Sequence, residues 1–357
     1  MAAVVGLMAG LATAAIAEAV RPRGGRGVLV DWEEVRRIAR SRIASGDAPA
    51  INLQVASRQY NRMAGRLQAP LLDFVGGHAP LAPGAVLPPF RAVDREGWLD
   101  LNVGIIRRAV DPVLEDARLP NTLMLDIGRT GLDLYIGNLL AFLGRRVLGQ
   151  FDPQLLGAEP IETGGLYLVE TNIEDWSRSA NLPGEDLRRW LILHELTHAW
   201  QFAAHPWLRG HMEEALRSVL AGTKKGSSPV ARAAAFAGVL PAQWRVVRRL
   251  QGTMSLVEGY SNLVMNRLGR QLLPAFNQLE AAYRARSSQK SLIEILVWRL
   301  TGLDLKLQQY RRGEAFCQAV FEQHGMEVLN RAWLGPAQMP RLEELDDPQS
   351  WYRRVVV

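Results

Sequence analysis

The spacing of apolar side chains predicts that most of this chain is helical. Apolar residues recur every three or four positions over long stretches, as on one face of a helix. The predicted helices are residues 31–45, 99–116, 130–148, 184–204, 211–221, 228–238, 241–268, 273–286, 290–303, 312–323 and 325–332. Asp31, with Glu34 three residues later, is typical of a helix start. Pro206, Pro241 and Pro274 lie near predicted starts, where a missing N–H costs little.

One segment has the pattern of a strand instead. Residues 164–173 (GGLYLVETNI) begin at a glycine pair and are rich in β-branched and aromatic side chains. Residues 76–97 are rich in glycine and proline, which indicates an extended surface connection. We therefore predict a mainly α (α+β) fold, with a large helical body and a small sheet element just before the helix at 184–204.

The composition is that of a folded protein, and it restricts the metal chemistry available. The chain has 357 residues, of which 48% are hydrophobic and 22% charged, and this excludes disordered and collagen-like classes. Its single cysteine, Cys317, cannot form an internal disulfide or supply a cysteine-based zinc cluster, and we expect it in the core. Any metal site must therefore use His, Asp and Glu, and the chain has six histidines.

The chemistry is concentrated in the predicted helix at 184–204, which contains His194-Glu195-Leu196-Thr197-His198. Histidines four residues apart lie on one helix face, where both can reach one tetrahedral ion. Glu195 is placed to take a proton from a bound water, as in the His-Glu-x-x-His signature of zinc metalloproteases. The alternative is that these side chains only meet other polar groups. Their cost in an apolar helix argues against it.

A catalytic zinc site needs a third protein ligand, and Glu258 is the favoured candidate. It lies in an apolar predicted helix and is followed by Gly259, which resembles the Glu-Gly pattern of glutamate-type zincins. The alternative for Glu258 is a core carboxylate paired with Arg248 or Arg249. Other candidates in this region are His211 and Tyr260 as an alternative ligand or oxyanion donor, Glu213 and Glu214 as ligands, and Asn262 as a partner for a ligand histidine.

The N-terminal region is distinct in composition. Residues 1–17 carry no charged side chain, and three interpretations stay open: a buried helix, a membrane attachment and a signal peptide. Residues 21–66 contain ten arginines against four acidic residues. This excess indicates a solvated helix face or, alternatively, attraction to an anionic membrane or an acidic partner. Because recognisable binding motifs are lacking, we expect no nucleic-acid partner.

Several stretches resemble a family of zincin-like zinc-dependent metalloproteases, catalogued as associated with deazaflavin-coenzyme biosynthesis. The similar stretches are residues 147–152, 194–202, 206–209, 257–259, 302–306 and 325–331. The resemblance covers the chain from about residue 30 to its end. It implies one mainly helical zincin-like domain with His194, His198 and Glu258 at the metal. After Glu-Gly the family often has a histidine and an acidic residue, where this chain has Tyr260-Ser261-Asn262.

We therefore predict an apolar helix and basic linker at residues 1–26 and a single zincin-like domain at 27–357. The predicted function is a zinc-dependent metallopeptidase that acts on a peptide or protein, with Glu195 as general base. The alternative is a non-catalytic helical scaffold with a structural or vestigial zinc site. The expected location is cytoplasmic, and peripheral membrane contact through residues 1–26 is compatible with either function.

Overall fold

The computed structural model describes residues 30–43, 51–76, 81, 86–114, 123–151, 165–221, 229–288 and 303–357. In these ranges the chain is mostly helical, with one three-stranded sheet, as the sequence predicts. The elements are α1 (Trp32–Ile43), α2 (Leu53–Phe74), β1 (Phe90–Val93), α3 (Arg95–Leu114), α4 (Leu123–Gly144), β2 (Gly149–Phe151), β3 (Leu166–Val169), α5 (Glu170–Ser179), α6 (Gly184–Ala204), α7 (Trp207–Ala221), α8 (Pro229–Leu272), α9 (Phe276–Ser288), α10 (Leu303–Asn330), a 3-10 turn (Arg331–Trp333) and α11 (Pro348–Val355).

Helices α1, α3 and α4 enclose a smaller apolar core that includes Trp98. Asp31 caps α1 as predicted, because its Oδ1 accepts hydrogen bonds from the backbone N–H groups of Glu33 and Glu34 at 3.0 and 3.1 Å. The α1 arginines at positions 36, 37 and 40 are all ion-paired with acidic neighbours. The predicted segment 1–26 lies outside the described residues. Within the described ranges, no helix has the length and apolar character needed to cross a membrane.

The sheet has the order β1-β3-β2, with β1 parallel and β2 antiparallel to the central strand β3. The predicted strand at 164–173 is therefore too long: only Leu166–Val169 pair, and α5 begins at Glu170. β1 lies inside the predicted surface connection 76–97, and β2 begins at Gly149, directly after the predicted helix 130–148. Both strands have three or four residues, which is too short for alternation to be visible in the sequence.

The helices of the main core are longer than their apolar pattern indicates. The predicted helices 228–238 and 241–268 form the single helix α8, so Pro241 lies inside a helix rather than near a start. A proline removes one intrahelical hydrogen bond, and the turns on both sides continue the helix here. The segment 312–323 and most of 325–332 lie in α10, which Gly325 (φ 81°, ψ 176°) interrupts, and the last two residues of the second segment lie in the 3-10 turn. Helices α2, α5 and α11 are not predicted, and most of the predicted 290–303 helix lies outside the described residues.

A crossing of two glycines brings α8 and α10 unusually close together. A Cβ atom on Gly259 would lie 2.2 Å from the carbonyl carbon of Gly313, and one on Gly313 would lie 1.9 Å from the carbonyl oxygen of Ser255. Both contacts are with backbone, which cannot rotate away. Glycine is therefore required on both sides of the crossing, and the crossing holds Glu258 next to α10.

Candidate metal centre

Helix α6 presents both motif histidines on one face. It spans Gly184–Ala204, as predicted, with Glu185 and Asp186 in its first turn, where acidic side chains favour a helix start. It ends before His205-Pro206, since the residue before a proline disfavours helical backbone. The Nε2 atoms of His194 and His198 lie 3.1 Å apart, with their rings edge to face.

Glu258, from α8, completes a compact set of three donors. Its Oε2 atom lies 3.6 Å from Nε2 of His194 and 3.6 Å from Nε2 of His198. The three donor atoms lie within 4.8 Å of one another, and this is the set among the described residues that could hold a metal ion. Among the described residues, the ion-pair partners of Glu258 are the two histidines, so the alternative of a pair with Arg248 or Arg249 is not formed, and Arg248 pairs with Glu343 at 3.1 Å.

The spacing of these donors fits a tetrahedral zinc ion. Two ligand atoms at about 2.0–2.1 Å from a tetrahedral ion are separated by about 3.4 Å. The separations of 3.1, 3.6 and 3.6 Å bracket that value. The side chains are largely enclosed, with exposures of 19% for His194, 9% for His198 and 17% for Glu258. Two imidazoles and a carboxylate form one of the three-ligand sets used by catalytic zinc, which leaves a position for water.

Electrostatics in the site favour a cation. Burial acts to raise the pKa of Glu258, but the nearby histidines outweigh it and hold the pKa well below its usual value. Glu258 is therefore an anion across the neutral pH range. A negative carboxylate beside two histidine nitrogens is the charge arrangement that a divalent cation requires.

Two side chains that the sequence reasoning missed hold His198 in place. Its Nδ1 atom lies 3.0 Å from Gln201 Oε1 and 3.1 Å from Ser261 Oγ. Gln201 Nε2 and Ser261 Oγ also donate to the Val257 carbonyl, at 3.0 Å each. When Nδ1 carries the proton, the Nε2 lone pair points to the other two donors. Gln201 could have been found from the sequence, because it lies one turn after His198 on the same helix.

Glu195 is buried beside the edge strand β2. Its exposed fraction is 6%, and a Cβ atom on Gly149 would lie only 2.5 Å from its Oε1 atom. Burial raises the pKa of Glu195 to about 7, although His194 and a hydrogen bond from the Phe151 backbone oppose the shift. A carboxylate with this pKa exchanges protons near neutral pH, which a general base and acid requires.

The remaining candidates lie away from the three donors. His211 Nε2 is 3.4 Å from Thr253 Oγ1, and His211 does not belong to the three-donor set. The buried Tyr260 hydroxyl donates to Asn330 Oδ1 at 2.7 Å, so it is engaged in the core rather than offered to a substrate carbonyl. Asn262 donates to Glu314 Oε2 at 3.4 Å, and Ser261 takes the predicted place beside the histidine.

Three further residues that the sequence analysis singled out also lie outside the three-donor set. Glu213 pairs with Arg217 at 3.7 Å, and Glu214 is exposed. Cys317 is buried in the core as predicted. None of these positions competes with Glu258 as the third donor.

Comparison with known proteins agrees with this geometry. Residues 30–352 match the family described as zincin-like metallopeptidases. The chain belongs to that family. A crystal structure from Chloroflexus aurantiacus, described as that of "a putative hydrolase with a novel fold", is similar to this chain with 36% identity and a TM-score of 0.69. The similarity covers 91% of this chain and 98% of that one. A search of curated proteins finds no match.

The family and its structural relative support a hydrolase at a coarse level, and membership of a zincin-like family implies a metal. The match begins at residue 30, so residues 1–26 lie outside it.

Proposed function

We propose that this protein is a zinc-dependent metallopeptidase whose ion is held by His194, His198 and Glu258. The observation that supports the proposal most is the spacing of the three donors, with a buried carboxylate, Glu195, next to the first of them in sequence. A bound zinc ion would polarise the scissile carbonyl and lower the pKa of a bound water toward 7.

Each protein group has a separate task. Glu195 takes a proton from the attacking water and passes it to the leaving amine. Gln201 and Ser261 hold His198 in the orientation and tautomer that present Nε2 to the ion. A zinc ion that held structure alone would not need a buried carboxylate such as Glu195. Its presence therefore favours an enzyme over a scaffold.

The decisive experiment compares the wild-type chain with Glu195→Gln. Both proteins are loaded with zinc, their metal content is measured, and cleavage of a broad peptide library is followed with and without a chelator. We expect about one zinc per chain in both, and cleavage by the wild type only, because the amide cannot accept the proton. Glu185→Gln is the matched control, since Glu185 lies on the same helix but is exposed.

Two outcomes would contradict the proposal. A wild-type protein that stays free of metal after zinc loading would show that the three donors do not form a site. Zinc binding with loss of fold on chelation, but without turnover of any peptide, would instead support the non-catalytic scaffold.

A further inference from the structure

One side of α8 carries a row of partly exposed polar residues that begins at Glu258. Asn262 and Asn266 follow at successive turns, and the residues between these three positions are all buried. Residues four apart share a helix face, so the three side chains form one open strip. At 1.5 Å per residue, the strip extends about 12 Å along the helix from Glu258. The polar face of α8 therefore extends past the metal donor Glu258 toward the C-terminal end of the helix.

Glu314 of α10 lies over this strip. The glycine crossing places its backbone nitrogen 2.5 Å from the position of a Cβ on Gly259, beside Glu258. Its carboxylate accepts hydrogen bonds from Asn266 Nδ2 at 3.2 Å and Asn262 Nδ2 at 3.4 Å. Both donors are neutral amides. Among the described residues, no lysine or arginine lies within ion-pair distance of Glu314.

Hydrogen bonds, and no ion pair among the described residues, hold the Glu314 carboxylate. Burial raises the pKa of this carboxyl, while the Asn262 hydrogen bond, His194 and Arg284 act in the opposite direction. Arg284 forms its own ion pair with Glu280 at 2.8 Å. Because a partly buried carboxylate lacks full hydration, a cation that reaches it gains a strong charge-assisted hydrogen bond.

We propose that Glu314, held by hydrogen bonds from Asn262 and Asn266, binds a cationic nitrogen of the substrate. The nitrogen is either the α-amino group of the peptide or the side chain of a lysine or arginine. Asn262 and Asn266 lie about 6 and 12 Å along α8 from Glu258, which corresponds to two to four residues of an extended peptide. The inference rests on the proposed function, because it places a specificity subsite of a peptidase next to the metal donor Glu258.

The test compares matched peptides on the zinc-loaded full-length chain. One pair has lysine or norleucine at each position near the cleaved bond, and another has a free or an acetylated N-terminus. We expect kcat/KM to favour the cationic peptide by about 10- to 100-fold, the value of one charge-assisted contact. Glu314→Gln should remove this preference, and Glu314→Asp should retain part of it. The pair that shows the preference identifies the source of the nitrogen.

Glu322→Gln is the control, since Glu322 is on the same helix and pairs at the surface with Arg267. It should keep the preference. Equal rates for cationic and neutral peptides in the wild type would overturn the inference even if Glu314→Gln did not fold. An unchanged preference in a folded Glu314→Gln protein would overturn it as well. In both cases the proposed peptidase function would stand.

Direct binding separates the two proposals when no peptide is cleaved. The same peptides are titrated by calorimetry into zinc-loaded Glu195→Gln, with and without Glu314→Gln. Tighter binding of the cationic peptide that disappears with Glu314→Gln supports the cation site without the peptidase. Equal binding of both peptides, together with absence of cleavage, contradicts both proposals.

Discussion

The glycine crossing between α8 and α10 makes a sharp prediction about Gly313→Ala. An alanine normally stabilises a helix interior by about 1 kcal/mol relative to glycine. At this position its Cβ would lie 1.9 Å from the Ser255 carbonyl oxygen. Because real Cβ contacts stay beyond about 3 Å, the helices must separate by roughly 1 Å. The cost of separating the helices therefore exceeds the gain in helix propensity, and the substitution destabilises the fold.

We expect Gly313→Ala to lower the free energy of unfolding by about 3 kcal/mol, the upper part of the range for overpacking. Zinc affinity should fall as well, because the crossing positions Glu258, and each 1.4 kcal/mol lost at the site weakens binding about tenfold. Urea unfolding followed by circular dichroism gives the stability, and competition with a zinc-binding dye gives the affinity.

Gly65→Ala is the matched control. Gly65 lies inside α2 and is exposed, and a Cβ atom added to it would have no neighbouring atom within 4 Å. This substitution should stabilise the chain by up to about 1 kcal/mol and leave zinc affinity unchanged. A Gly313→Ala protein within about 0.5 kcal/mol of the wild type, with the same zinc affinity, would refute the close crossing.

Two further substitutions test the surroundings of the site. Ser261→Ala removes one hydrogen-bond partner of His198 and should weaken zinc binding about tenfold in the dye competition. Ser255→Ala is the control and should leave zinc binding unchanged, because the buried Ser255 hydroxyl has no partner among the described residues. Burial lowers the pKa of His205 from 6.5 to about 4. As the pH falls from 6.5 toward 4, the unfolded chain binds a proton at this histidine that the folded chain does not, so the free energy of unfolding decreases. The wild type should therefore lose about 2 kcal/mol more than His205→Phe between pH 7 and pH 5 in urea unfolding, and equal losses would contradict the buried neutral histidine.

Local patterns predicted the elements that depend on nearby residues. The bounds of α6 and the cap at Asp31 agree with the structure, because helix periodicity and capping involve residues within one or two turns. The pairing of His194 with His198 follows from the same helix geometry. Long-range pairing was less visible: β1 and β2 are too short to show a pattern and form only against β3.

The sequence by itself determined which side chains are available for a metal: two histidines and a glutamate at helical spacing, in a chain with too few cysteines for a cysteine-based cluster. The tertiary structure decided which residues join them. Glu258 approaches the histidines from a helix whose donor lies 60 positions after His198. Glu314 lies next to α8 because α10 approaches that helix closely at Gly259 and Gly313. Spacing along a helix is a local property of the backbone, whereas contact between helices depends on packing over the whole core.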